Sequence, residues 1–536
     1  MAIAHLLLLS FFLLRHVHSF VPARALLRAP VNVLLSSTTR ISKSASATSS
    51  VIDESENDTT LPSSTPPPDG PQLGAWMPLG SASSLTGLTP VQIRICGVDI
   101  AVWHKPLPKG AKRDTAATEW SALVDACPHR LAPLSQGRVD PNTGCIECPY
   151  HGWAFDLDGT LKSIPQLDEG RTIAAATGNS GGATSLPVHA AGDLLFVFLP
   201  TDVTGESWPI SRLPEDHYPY LREKMEKGAT YCSRDLPYSF DFLIENFMDP
   251  AHIPFAHHSL QGTRDDGSPI EMKVSANNFT HFECDYRDIC RGKQREGVLS
   301  FQRPALYHFR TRAPNTTDEY RPILLLFSLP VEEGKCRVIM PEFRIKFAPR
   351  WLLHVGLNRF LNSDTWLHDV ERSARLINST NEQLGSVAVG AARAGRKPTY
   401  GLNYISASQS DLGPTAFRKW WLTHGFAAAP PDTFGPASAS SLPMYPLSRA
   451  EQIDPWVYHA KNCVSCRRGL RQMRIMQKVV TAVSAIGALM LQRRPPLAIA
   501  LVLAGTYVHN FVRKFATTIE GNIHRAEIDD RSIAQQ

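Results

Sequence analysis

No block of basic residues with interleaved aromatics occurs in this chain, so the electrostatic footprint of a nucleic-acid binder is missing. A formal net charge of +5 is small for 536 residues. The ten cysteines are scattered rather than closely and evenly spaced, which excludes a small secreted disulfide framework. No internal repeat is visible, and no acidic residue precedes Asp53.

What is present begins with two short proline-containing loops. Residues 127–151, CPHRLAPLSQGRVDPNTGCIECPYH, place Cys127 and His129 at one end and Cys148 and His151 at the other. A Rieske [2Fe–2S] centre gives one iron two thiolates and the other two neutral imidazoles, which raises its potential above that of an all-cysteine cluster. Zinc is the alternative, but zinc fingers usually present Cys–Cys and His–His pairs, not two mixed ones. The spacing therefore predicts a [2Fe–2S] cluster on Cys127, His129, Cys148 and His151, with Cys145 a free thiol beside it. The surrounding runs VQIRICGVDIAVW, SALVDAC, WAFDLDGTL and LLFVFLP alternate with turn signals. They predict a small antiparallel β domain over 71–203 with the cluster loops at one tip.

A second domain is expected over 204–450. Strand-like HFECDYRDIC, PILLLFSLPV and KCRVIMPEFRIKF mix with helical SFDFLIENFMDP and LLHVGLNRFLNSDTWLHDVERSARLI. An antiparallel sheet closed by helices follows, making the chain α+β. Within DFLIENFMDPAHIPFAHHSL, Asn246, Asp249 and His252 fall on one helical face. Pro254 is expected to break that helix and let His257 turn back toward His252. Two histidines and one carboxylate suit a non-haem Fe(II) site with open positions; His258 fits the spacing less well. The third ligand should be a carboxylate on a later helix. Asp364 interrupts an apolar face shared with Phe360 and Leu367, with Asp369 and Glu371 as competitors.

The pattern N-x2-D-x2-H-x4-H at Asn246, Asp249, His252 and His257, downstream of the cluster motif, resembles that of Rieske non-haem iron oxygenases. Rieske subunits of quinol-oxidising complexes carry an extra disulfide at positions that are Ala132 and Tyr150 here, so the likeness is to the oxygenases. CPHRLAPLSQGRVD, ENFMDPAHIPFAHHSLQGTRDDGSPIEMKV, PRWLLHVGLNRFLNSDTWLHDVER, AFRKWW and HAKNCVSC are similar to the chlorophyll-metabolism branch, most of all to the pheophorbide a oxygenases. The likeness runs from Trp76 to the C-terminus.

That resemblance implies a helix-grip-like catalytic domain holding mononuclear Fe(II) on His252, His257 and Asp364. Asn246 and Asp249 would be catalytic, with Asp249 linking a cluster histidine to an iron histidine across a subunit boundary in a homotrimer. It also implies ferredoxin as electron donor, O2 as co-substrate and oxygenolytic opening of a chlorophyll-derived tetrapyrrole. Chlorophyllide a oxygenase, a protochlorophyllide-linked oxygenase and a Rieske component of plastid protein import stay open as alternatives. The first of these generally lacks the C-terminal cysteine pair.

At the N-terminus, an apolar run of signal-peptide length (1–19) leads into a segment rich in Arg and Ser/Thr, then a Pro/Ser/Asp linker to residue 70. With Phe20 at the junction, this resembles the two-part leaders of algae with secondary plastids. At the other end, Cys463 and Cys466 form a C-x2-C within 451–474. A zinc half-site lacks a second pair nearby, and a disulfide answering to thioredoxin is the sharper expectation. VVTAVSAIGALML and LAIALVLAGTYVHNFV, joined by QRRPP, predict a two-helix membrane anchor in lipid over 475–515, followed by a tail over 516–536.

Overall fold

Hairpins build the first half of the chain. Val91–Ile95 pairs with Val98–His104 through Cys96 and Gly97, both at positive φ (51° and 75°), the turn geometry whose twist matches that of paired strands. The computed structural model describes residues 72–85, 89–105, 119–178, 180–204, 206–314, 319–342, 348–384, 406–424 and 445–521. The leader expected over 1–70 and the end of the tail lie outside them. Trp120–Val124 and Ser185–Leu186 complete the first four-stranded sheet. A second runs Val188–Ala191, Leu194–Pro200, Leu73–Ser81, Trp208–Pro209. A third, of the short strands Arg138–Val139, Ile146–Glu147, Ala154–Phe155 and Leu161–Ser163, carries the cluster loops.

The second half is a seven-stranded antiparallel sheet. Its strands are β1 (Tyr231–Leu236), β2 (Glu271–Asn277), β3 (His281–Cys290), β4 (Lys293–Gln302), β5 (Leu306–Arg312), β6 (Arg321–Glu332) and β7 (Lys335–Pro341), in the order β1-β7-β6-β5-β4-β3-β2. Along β3 every second side chain from Phe282 to Asp288 is buried, the period of a half-covered strand. Phe282, Cys284 and Tyr286 meet Leu243, Ile244 and Met248 together with Phe417, Trp420 and Trp421 in one apolar core. Each such large side chain contributes about 1.5–3 kcal/mol on burial. The covering helices are α1 (Phe240–Phe247), α2 (Ile253–Ala256), α3 (Arg350–Asn362), α4 (Leu367–Leu384) and α5 (Leu412–His424). The two halves share a core in which Met77, Leu195 and Phe196 join Leu306, Phe327 and Ile339. The buried Asp193 carboxylate ties them further, accepting from Ser81 Oγ (2.7 Å), Ser83 N (2.9 Å) and Tyr231 N (3.0 Å).

Two local expectations need correction. The break after α1 falls at Asp249–Pro250, and Pro254 does not end a helix but sits in the first turn of α2, where a missing N–H leaves nothing unsatisfied. Likewise the expected single helix around Asp364 is two helices. Ser363 closes α3, and Asp364 lies in the turn before α4. There Thr365 Oγ1 donates back to Asn362 O (3.1 Å) and Leu367 N to Asp364 O (3.0 Å), the local bonding by which short polar side chains compete with a helix.

At the C-terminus, α6 (Val464–Met490) and α7 (Pro495–Glu520) form an antiparallel hairpin, with Arg474 paired to Glu520 near its root. Both helices run beyond the apolar segments; in α6 the extension is RRGLRQMRIMQK, rich in the helix formers Arg, Gln, Met, Leu and Lys. The cysteine segment and the anchor, expected as separate units, therefore share one helix. The outer half exposes Val479, Val483, Ile486, Leu497, Ile499 and Leu503.

Candidate metal centres

The two cluster loops have the same backbone. Cys127 N donates to Ala132 O (2.9 Å) and Leu131 N to Cys127 O (2.7 Å); Cys148 N donates to Trp153 O (2.8 Å) and Gly152 N to Cys148 O (3.1 Å). In each loop the fourth residue after the cysteine has positive φ, 55° at Leu131 and 72° at Gly152. Glycine is demanded at the second, where a Cβ would also lie 3.1 Å from Pro165 Cγ. This repeated turn brings the His129 and His151 rings within 4.6 Å, and Trp153 stacks on His129 at 4.5 Å. Cys127 and Cys148 are buried, and burial pushes the Cys127 thiol up to about 11 against backbone hydrogen bonds from His129 and Arg130. His151 Nδ1 is buried with no hydrogen-bond partner. Two buried thiols beside two imidazoles, one with an orphaned nitrogen, fit a Rieske cluster.

The second site forms where the chain breaks after α1. Asp249 caps the short turn Pro250–His252, its carboxylate accepting from Ala251 N (2.8 Å), while its backbone carbonyl accepts from His252 Nδ1. Within one chain the free N–H of the new turn holds the carboxylate, and the carbonyl reaches His252. Burial raises the Asp249 pKa above the usual carboxylate range, opposed by His252. His257, at the end of α2, donates from Nδ1 to Ser363 Oγ (2.7 Å), whose hydroxyl donates to Phe360 O. Phe360 stacks on the His257 ring at 4.4 Å. With both Nδ1–H groups engaged, the two Nε2 atoms carry lone pairs, and they face each other at 3.3 Å. Asp364 Oδ2 lies 3.2 Å from His257 Nε2, and its buried Oδ1 has no partner. Opposed lone pairs and an orphaned carboxylate oxygen, with His257 and Asp364 each 3% exposed, are the arrangement that a cation relieves. They fit a two-histidine, one-carboxylate iron site.

The structure thus brings His252, His257 and Asp364 together, with Asn246 Nδ2 at 3.5 Å from His252 Nε2. The competitors are engaged elsewhere. Asp369 accepts from Gln452 Nε2 (3.0 Å), and Glu371 is held by Ser239 and Arg375. His258 is exposed and accepts from Arg264 N. Sequence reasoning missed Ser363 and Phe360, which orient His257; only the fold reveals that a turn residue and a helical ring meet that imidazole. Cys463 and Cys466 lie at the root of α6, both buried, beside His354 and His459.

A model of the Rieske [2Fe–2S] domain matches residues 75–179, and one described as pheophorbide a oxygenase matches 301–378. The chloroplastic pheophorbide a oxygenase of Oryza sativa subsp. japonica is 30% identical over 425 residues, covering 75% of this chain and 74% of the relative. The protochlorophyllide-dependent translocon component 52 of Arabidopsis thaliana is 26% identical, covering 76% of this chain and 74% of that protein. The flavonoid 8-hydroxylase 2 of Ocimum basilicum is 26% identical, covering 77% and 76%.

Proposed function

The chain belongs to the Rieske non-haem iron oxygenases, in the branch of the pheophorbide a oxygenases, and from that premise we propose that it opens the macrocycle of pheophorbide a in plastid chlorophyll breakdown, using O2 and reduced ferredoxin. The supporting observation is the pairing, in one polypeptide, of a Cys2His2 loop site with a His2Asp site whose imidazole lone pairs converge. When bound, the cluster would supply electrons singly and the mononuclear iron would activate O2.

The residues' own part is positional. Cys127, His129, Cys148 and His151 would hold the cluster; His252, His257 and Asp364 would hold the lone iron on one side, leaving the other for O2 and substrate. The Asp249 carbonyl and Ser363 hydroxyl lock both imidazoles in the tautomer that presents Nε2. In a homotrimer, the Asp249 carboxylate would meet a cluster histidine of the neighbouring copy and couple the sites. The overall reaction takes two electrons and two protons with O2, one oxygen atom entering the product and the other leaving as water.

The exposed apolar halves of α6 and α7 support attachment to a plastid membrane. The two apolar segments are about 20–24 Å long at 1.5 Å per residue, short of the ~30 Å hydrocarbon core. Insertion from one face, with the root of the hairpin outside, follows. The protein should resist carbonate extraction from membranes.

The deciding experiment supplies the iron-loaded full chain with reduced ferredoxin and 18O2, and offers pheophorbide a, protochlorophyllide, chlorophyllide a and a flavone in turn. One 18O atom in a linear product from pheophorbide a is expected. Product from another compound alone would move the substrate assignment. No product from any, at full iron loading, would favour a redox component of protein import.

A further inference from the structure

Besides the iron triad, one other group of potential ligands among the described residues converges on a single point. It comprises His354, His459, Cys463 and Cys466, all buried, with exposures of 1%, 5%, 3% and 1%. Two remote stretches of chain supply it: α3 gives His354, while the segment before α6 gives His459 and the first turn of α6 with its N-cap gives the cysteines.

The four donor atoms all lie within 4.8 Å of one another, the scale of a single-ion site. Cys463 Sγ and Cys466 Sγ each lie 3.4 Å from His354 Nδ1. His459 Nε2 lies 3.3 Å from Cys466 Sγ and 3.1 Å from His354 Nδ1. Zinc–sulfur bonds of about 2.3 Å and zinc–nitrogen bonds of about 2.0–2.1 Å imply edges of about 3.3–3.8 Å in a tetrahedral Cys2His2 site. The outer nitrogens are engaged as well: His354 Nε2 donates to Glu342 Oε1 (2.8 Å) and His459 Nδ1 to Ser233 O (2.7 Å). A carboxylate and a backbone carbonyl behind ligating imidazoles are the usual outer partners of a bound metal. They turn the lone pairs of His354 Nδ1 and His459 Nε2 toward each other, so a positive charge must lie between them. Two thiols converging on the same point favour a cation over a bare proton.

We propose that these four side chains bind a structural Zn2+ ion that fastens the root of the C-terminal hairpin to α3. Two thiols become thiolates on binding, releasing two protons, with no change of oxidation state. Four protein ligands close the site, which suits a structural ion rather than a catalytic one. The neighbouring surfaces already meet tightly: a Cβ on Gly469 of α6 would lie 2.6 Å from the Trp351 ring of α3. The disulfide expected from the C-x2-C alone would need a partner protein to reach sulfurs that this fold buries.

Elemental analysis of the detergent-purified, iron-replete full chain tests this. One zinc is expected per chain beside the iron. The Cys463→Ser/Cys466→Ser pair should lose the zinc yet keep the Rieske paramagnetic signal. Should that variant fail to fold, zinc-edge absorption on the unaltered protein must show two sulfur and two nitrogen neighbours. Cobalt exchange must likewise give thiolate-to-metal bands of tetrahedral type. Absence of zinc, zinc retained by the double variant, or a mass two hydrogens lighter that dithiothreitol restores would overturn the proposal, the last in favour of the disulfide.

Discussion

The two ends of α3 offer opposite kinds of site. Its first turns carry His354 into a set of four donors that enclose a point, with both outer imidazole nitrogens bonded to protein. About 15 Å further along, at 1.5 Å per residue, Ser363 and Asp364 join His252 and His257 in a set of three donors, with one carboxylate oxygen left unpartnered. Four soft and borderline donors saturate a tetrahedral ion and leave it inert. Two imidazoles and one carboxylate on one side leave positions for reactants. One helix thus separates a site suited to holding from a site suited to reacting.

Replacing ligands and their supports at either end breaks that comparison in graded ways. The largest effect is expected for Asp364→Ala, which should abolish mononuclear iron and turnover while the cluster's paramagnetic signal stays intact, as iron content and that signal will show. Ser363→Ala removes the acceptor of the His257 Nδ1 proton and should weaken iron binding roughly 10–100-fold without touching zinc, measured by iron competition with a chelator. Glu342→Gln is the mirror test: zinc should be held roughly 10–100-fold less tightly, with iron affinity unchanged. Equal losses of both metals in either variant would show that the two ends are coupled. Smallest is Phe360→Leu, which forfeits the stack on His257, worth about 0.5–1.5 kcal/mol, and should shift iron affinity no more than about tenfold by that energy.

Legibility followed chain locality. The cluster loops could be read directly because each Cys–His pair sits within one tight turn, so spacing and geometry are nearly the same thing. The histidines at 252 and 257 were readable by spacing, but the helix break was assigned to Pro254 when Asp249–Pro250 makes it. A proline inside an apparent helix can start the next one as well as end the last. Asp364 required the resemblance to separate it from Asp369 and Glu371; in the structure, a turn rather than a helical face aims it. Three members of the tetrad lie within eight residues, as His459-x3-Cys463-x2-Cys466. No pattern could have connected them to His354, which lies 105 residues earlier.

From its sequence alone this protein could be assigned an antiparallel, two-site α+β architecture. Alternating apolar residues, turn glycines and short ligand spacings act over a few residues, where covalent geometry leaves little choice. Which carboxylate faces the iron histidines, which atoms hold their tautomers, and that a distant imidazole completes the cysteine pair were decided by tertiary packing. Except for the Asp249 carbonyl, three residues from His252, those contacts join residues more than a hundred positions apart, and only the burial of a common core sets their distance.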